Sequence, residues 1–206
     1  MKYILLFSSL LIVLASCGKN ETASRSETTR NTPELSKLNN SNSPVFETPK
    51  LTDAQKESIA KGKKLEWKIN GLSWEIPQDM KRSLERDSIL TYRSPSSVTL
   101  VASAIRSENE EQIKSMFQKN LDSAVKNEKN NLIEQFRYME INGIKGFEYI
   151  ERVPNRDGWR RHQLIALRVF NGQAQFISVF CGAKAGDFDK YKDLCAAILY
   201  SMTTVR

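Results

Sequence analysis

Between Ile141 and Cys181 the chain alternates apolar runs with strong turn signals. Asn142-Gly143, the stretch from Pro154 to Gly158, and Asn171-Gly172 each suit a tight reversal, because Asn and Gly tolerate the positive φ of hairpin turns. The runs between them, Lys145 to Arg152, Trp159 to Phe170 and Ala174 to Cys181, read as strands of an antiparallel meander. The last is apolar at nearly every position, the pattern of a strand covered on both faces. Upstream, Trp67, Ile69, Leu72, Trp74 and Ile76 flank Asn70-Gly71 and predict a hairpin that ends at Pro77. A charged connection leads to Ile89 to Tyr92 and Val98 to Ile105, two further strands. Ser107-Glu108-Asn109-Glu110 opens like a capping box, and Ile113, Met116, Phe117, Leu121 and Val125 then recur at helical spacing over about twenty residues. Leu132 to Ile141 returns to strand. Phe188, Tyr191, Leu194, Cys195, Ile198 and Met202 mark a second amphipathic helix. Two helices and about seven strands predict an α+β domain over residues 65–206, an antiparallel sheet covered by helices.

The N-terminal third has a different pattern. Met1-Lys2 precedes an apolar run, Ile4 to Ala15, that is shorter than the roughly 20 residues a bilayer span needs, so residues 1–16 read as a signal peptide. Leu14-Ala15-Ser16-Cys17 resembles the lipobox of bacterial lipoproteins, which implies a diacylglyceryl thioether on Cys17. Multiple acyl chains anchor a protein stably without a crossing helix. Residues 17–50 are rich in Asn, Ser, Thr, Glu and Lys with scattered Pro, too poor in apolar residues to offset their ordering entropy. They predict a disordered tether averaging about 30 Å end to end. Thr52-Asp53-Ala54-Gln55 opens a possible short helix within residues 51–64. Gly18 after the lipidated Cys favours the outer over the inner membrane of a bacterial envelope.

Charge and chemistry change this picture little. The 206 residues carry a formal charge of +7, a bias toward anionic surfaces that does not choose among them. Export argues against nucleic acid as a partner. A single histidine, His162, limits acid–base schemes; it reads as a strand residue near a hairpin mouth, on the surface or partly satisfied. No Cys/His spacing suggests a metal, no Gly-rich loop a phosphate, and no cofactor is implied. Ser58 to Lys61 and Ser123 to Lys126 match Ser-x-x-Lys but lack the companion elements of that chemistry. Cys181 and Cys195 are the thiols left after lipidation; they form either a possible disulfide or two separately buried thiols, Cys195 lying about 12 Å along its helix. Arg152, Arg156, Trp159, Arg160, Arg161 and His162, with Arg168 beyond them, make a basic aromatic hairpin. It could bind a partner through guanidinium groups, or serve as the charged outer face of a strand.

The element order also resembles a known family. A hairpin ending in Ile76-Pro77, strands, a long helix, a strand into Asn142-Gly143-Ile144-Lys145-Gly146-Phe147-Glu148-Tyr149, a meander, and a terminal helix finishing Ile198 to Met202 is similar to the PsbP family and its DcrB-like bacterial lipoproteins. The resemblance implies an α/β/α sandwich and a role as an accessory or binding protein, with no shared catalytic residues. The expectation is therefore a non-catalytic, lipid-anchored envelope protein acting on a protein partner. The alternatives are a small-ligand or lipid carrier, or a hydrolase using His162.

Overall fold

The computed structural model describes residues 44–155 and 157–205. The signal peptide, Cys17, most of the tether and Arg156 lie outside the described residues. The described chain forms three helices and ten strands in two sheets.

The seven-stranded sheet is antiparallel throughout. It contains β3 (Lys81–Arg86), β4 (Ile89–Arg93), β5 (Thr99–Ser107), β6 (Ile133–Ile141), β7 (Ile144–Glu151), β8 (Trp159–Phe170) and β9 (Gln173–Lys184), in the order β3-β4-β5-β9-β8-β7-β6. Asn142 and Gly143 both take positive φ between β6 and β7, as do Asn171 and Gly172 between β8 and β9, the geometry these pairs predicted. β3 was legible only as a charged connection. Its residues are almost all exposed and four of the six are charged, as suits an edge strand that must not recruit another.

A second, three-stranded sheet pairs β1 (Lys63–Trp67) with β2 (Leu72–Ile76) and β2 with β10 (Thr203–Thr204). The turn at Asn70-Gly71 is wider than a two-residue hairpin: a short 3-10 turn precedes Gly71, and the buried Asn70 amide donates to the Asp87 carbonyl at 2.6 Å.

Helices cover both faces of the large sheet. α2 (Glu110–Lys129) lays Ile113, Phe117 and Leu121 on Phe147, Ile165 and Phe176. Its N-cap is Asn109, whose side chain accepts from the Gln112 amide at 3.1 Å, while Ser107 instead accepts from the Asn109 amide. On the other face α3 (Phe188–Tyr200), the small sheet and β7 to β9 share a core that includes Trp67, Trp74, Ile150, Leu164, Val179 and Ile198. The result is the α+β domain that the apolar pattern predicted, an antiparallel sheet covered by helices, arranged as the sandwich that the family resemblance implied.

Folded structure also begins earlier than Leu65. α1 (Asp53–Ile59) opens with a full capping box between Thr52 and Gln55. Ahead of it Glu47 bridges β6 in parallel: its amide donates to the Tyr138 carbonyl at 3.0 Å and its carbonyl accepts from the Glu140 amide at 2.9 Å. The C-terminal end of the expected tether is thus a strap on the domain. The reason is local chemistry: Phe46 packs edge-on to Tyr138, with ring centroids 5.8 Å apart, and Lys145 sits over the Phe46 ring.

Close approach of β7 to β8 depends on Gly146. A Cβ there would lie 2.1 Å from the Ile165 carbonyl oxygen and 2.8 Å from Ala166 Cα, both backbone atoms that cannot swing aside. Gly146→Ala should therefore cost about 3 kcal/mol, at the upper end for overpacking. Gly143→Ala has open space and only the strain of a left-handed residue, about 1–2 kcal/mol. Urea titration of both variants checks the order.

Candidate functional site

Strand alternation places Glu148 on the same face of the large sheet as Ile144 and Ile150, and His162 on the same face as Leu164 and Ala166. That face is the one α3 covers, so a carboxylate and an imidazole are carried into the core: their side chains are 1% and 2% exposed. Burial of an ion is tolerated only when its hydrogen bonds are made inside the protein. Glu148 Oε2 meets His162 Nε2 at 2.9 Å, and Glu148 Oε1 accepts from Arg137 Nε at 2.6 Å and from the Tyr200 hydroxyl at 2.9 Å. Arg137 closes the circuit by donating to the Tyr200 oxygen at 2.8 Å. The Tyr200 ring stands edge-on to His162 at 5.7 Å.

Arg137 sits directly opposite Glu148 in the β6–β7 register, on the face of Met139 and Ile141 and just past a bulge. The register of β6 against β7 slips between Glu134 and Arg137, and Gln135 adopts φ 56°, a left-handed conformation that L residues other than Asn and Asp rarely take. Such strain persists where surrounding structure enforces it, and here it lies beside the cleft.

The electrostatics follow from these contacts. Burial pushes Glu148 up, but the hydrogen bonds and charges of His162 and Arg137 outweigh it and hold the carboxyl below its ordinary value. Burial, helped by the Glu148 charge, raises the Tyr200 phenol, which stays protonated and donating. Because Glu148 is ionised, the facing His162 nitrogen must donate to it. The other ring nitrogen, Nδ1, is buried without a hydrogen-bond partner among the described residues.

Above the network opens a cleft of about 480 Å³. Its walls come from the strap, α1, the bulge and α3, and include Glu47, Lys50, Gln55, Gln135, Lys192 and Tyr200, with His162 and Arg137 also lining it. Gln55 ties α1 to α3 by donating to Asp193 at 3.3 Å. The lining suits a polar occupant better than an acyl chain. Among the described residues no group of three His, Cys, Asp or Glu is placed to hold a metal ion.

The residues singled out from sequence are dispersed around this site. His162 is not on the surface but in the network. Arg160 pairs with Asp189 at 2.9 Å and Glu134 at 3.6 Å and lies over the Phe188 ring. Arg161 pairs with Glu151 and lies over Phe180. Arg152 reaches Glu134 only at 3.8 Å, and Trp159 is half-buried. The hairpin's described guanidinium groups therefore face carboxylates of their own domain. Arg168, with no carboxylate partner among the described residues, donates to the Asn70 and Gly71 carbonyls and to Gln175; burial lowers it to about 10.

Cys181 and Cys195 are free thiols, both fully buried. α3 packs back on β9, so the two lie side by side despite the offset along the helix axis. Burial, reinforced by the adjacent Cys195 thiol, pushes Cys181 well above its ordinary value, which disfavours thiolate chemistry. Glu148, Arg137 and Tyr200 escaped sequence reasoning. The one available signal was parity, since Glu148 interrupts an inward-facing row of apolar positions in β7.

No protein-family profile matches the chain, and no curated protein matches it. Among solved structures it is similar to a protein from Bacteroides thetaiotaomicron, with TM-score 0.46 and 12% identity over 70% of this chain and 49% of that one. It is also similar to cyanobacterial PsbP (CyanoP) from Synechocystis, with TM-score 0.42 and 12% identity over 69% and 91% of the two chains. A third is the Ran-binding protein Mog1p of Saccharomyces cerevisiae, with TM-score 0.41 and 9% identity over 70% and 95%. The chain spans about half the length of the first. Likenesses this distant carry no argument about what the chain does.

The buried charge makes a pH-dependent prediction. A carboxyl whose folded pKa is depressed contributes stability that is full above its unfolded pKa of about 4.3 and is lost as pH falls through the folded value. Arg137→Ala strands the Glu148 charge and should cost about 3–5 kcal/mol at pH 7. At pH 3, where protonation of Glu148 removes much of that charge, the cost should shrink. Urea titrations of wild type and variant at both pH values check this; an equal cost at both would contradict it.

Proposed function

We propose that this chain is a lipid-anchored bacterial envelope protein that acts by binding a protein partner, without catalysis of its own. The observation that carries the reading is the position of the cleft. One of its walls is the strap, residues 47–50, and the strap continues directly into the segment that leads back to Cys17 and its lipobox. A polar recess at the root of a membrane tether would meet a partner held at the same surface. The rule linking Gly18 to sorting supports the outer membrane over the inner.

Two features bear on the alternatives. The charged lining of the cleft supports a polar partner segment over a lipid carried in an apolar cavity. The His162–Glu148 pair favours a second reading, a hydrolase, since an acid-oriented imidazole is a recurrent general base. Its free nitrogen, however, meets no hydroxyl or thiol among the described residues. Turnover of an acyl substrate that His162→Ala abolishes would establish this second reading against the first.

The test uses a photo-crosslinking residue at Lys50, on the cleft wall, and a control at Arg86 on the far edge strand, in intact cells. We expect one protein trapped from Lys50 and not from Arg86, and lost when Cys17→Ser releases the chain from the membrane. Identical captures from both sites, or a capture indifferent to Cys17→Ser, would sink the anchored-partner reading.

A further inference from the structure

We propose that the outer edge of β6 is a docking site for an extended peptide segment, added as a parallel strand and carrying an aromatic residue followed by a carboxylate. The inference rests on the partner-binding reading above and names the partner's chemistry. In the structure the chain's own Phe46-Glu47 occupies that place and serves as a resident stand-in for the incoming segment.

Three observations converge. β6 is a terminal strand of the seven-stranded sheet, so among the described residues its outward amides and carbonyls have no further strand beside them. An edge of this kind is a template for strand addition. The strap uses it at one bridge alone, through the Tyr138 carbonyl and the Glu140 amide. A nine-residue strand is therefore engaged over a fraction of its length, and a longer segment would pair with more of it.

The side chains define what such a segment must carry. Phe46 lies against the Tyr138 ring and under the Lys145 ammonium, 5.4 Å from the ring centroid. One residue on, the Glu47 carboxylate takes the outer Arg137 nitrogen at 3.3 Å, although Arg137 is already committed to Glu148 and Tyr200. An aromatic–acidic pair thus adds a second edge contact to a ring that already meets Phe136 at 5.6 Å, a face to an ammonium that otherwise reaches Glu140 only at 3.9 Å, and a carboxylate to the outer nitrogen of the Arg137 guanidinium. Glu47 is itself half-exposed, so its ion pair is weakly held and open to exchange. Displacing the strap would uncover the Arg137 end of the buried network and one wall of the cleft.

The experiment uses the full chain and a fluorescent peptide with the sequence of residues 44–50, followed by anisotropy. Wild type should bind it weakly, because its own strap competes. A Phe46→Ala/Glu47→Ala chain, with the strap weakened and the β6 edge intact, should bind about tenfold tighter, the gain expected when an occluded state is removed. Methylating the peptide nitrogen that corresponds to Glu47 removes the donor to Tyr138 and should cost about tenfold, a loss of one backbone bond in a partly dry site. Thermal unfolding of the double variant confirms that the domain stays folded. The proposal is overturned if the variant binds no better than wild type, if neither chain binds, or if the methylated peptide binds as well as the unmodified one. In-cell capture at Lys50 without peptide binding would likewise overturn it while leaving the partner reading standing.

Discussion

A carboxylate buried at the interface of sheet and helix is the constraint from which the rest of this structure follows. Glu148 is carried inward by strand parity, and its charge survives there because Arg137, Tyr200 and His162 all reach it. Each partner comes from a different element: Arg137 from the bulged β6, His162 from β8, Tyr200 from the last turn of α3. The ion cluster therefore fixes the register of the sheet edge and the seat of the terminal helix together. Removing one partner would leave an uncompensated charge, so the elements depend on one another more tightly than apolar contact alone would make them.

The cleft lies against the same cluster. Arg137 stands directly opposite Glu148 in the β6–β7 register, and Gln135, left-handed at the bulge just before it, joins α1 and α3 in lining the recess. The strap lies along the outer edge of β6 at Met139, beyond the bulge. A recess lined by groups of both signs, with a tether root as one wall, suits recognition of a polar segment. The thiols of Cys181 and Cys195 stay inside the core, and the arginines of the long hairpin are largely spent on Glu134, Glu151 and Asp189.

The fold was legible in the chain because its signals are local. Asn142-Gly143 and Asn171-Gly172 have the backbone freedom that their turns require, and the apolar rows of α2 and α3 recur at helical spacing. β3 was not legible because an edge strand is written in charge, like a loop. The strap was hidden for a related reason: two backbone bonds, an aromatic pair and the side chains of Lys145 and Arg137 hold Phe46-Glu47, with no periodicity to betray them. The site was nearly invisible, since Arg137, Glu148, His162 and Tyr200 are separated in sequence and meet only through register. His162 drew notice as the sole histidine, yet nothing local says that it is buried against a carboxylate. The hairpin arginines advertised a partner surface because sequence shows cations without showing the acids that face them.

An ionised Glu148 holds His162 by its Nε2 proton, and the whole network depends on that contact. The direct test is the ¹⁵N shifts and proton couplings of the His162 ring in the folded protein at neutral pH. The expected result is a protonated Nε2 whose hydrogen is held against exchange with solvent, and loss of that protection in Glu148→Gln. An Nε2 without a proton, or one that exchanges freely with solvent, would contradict it.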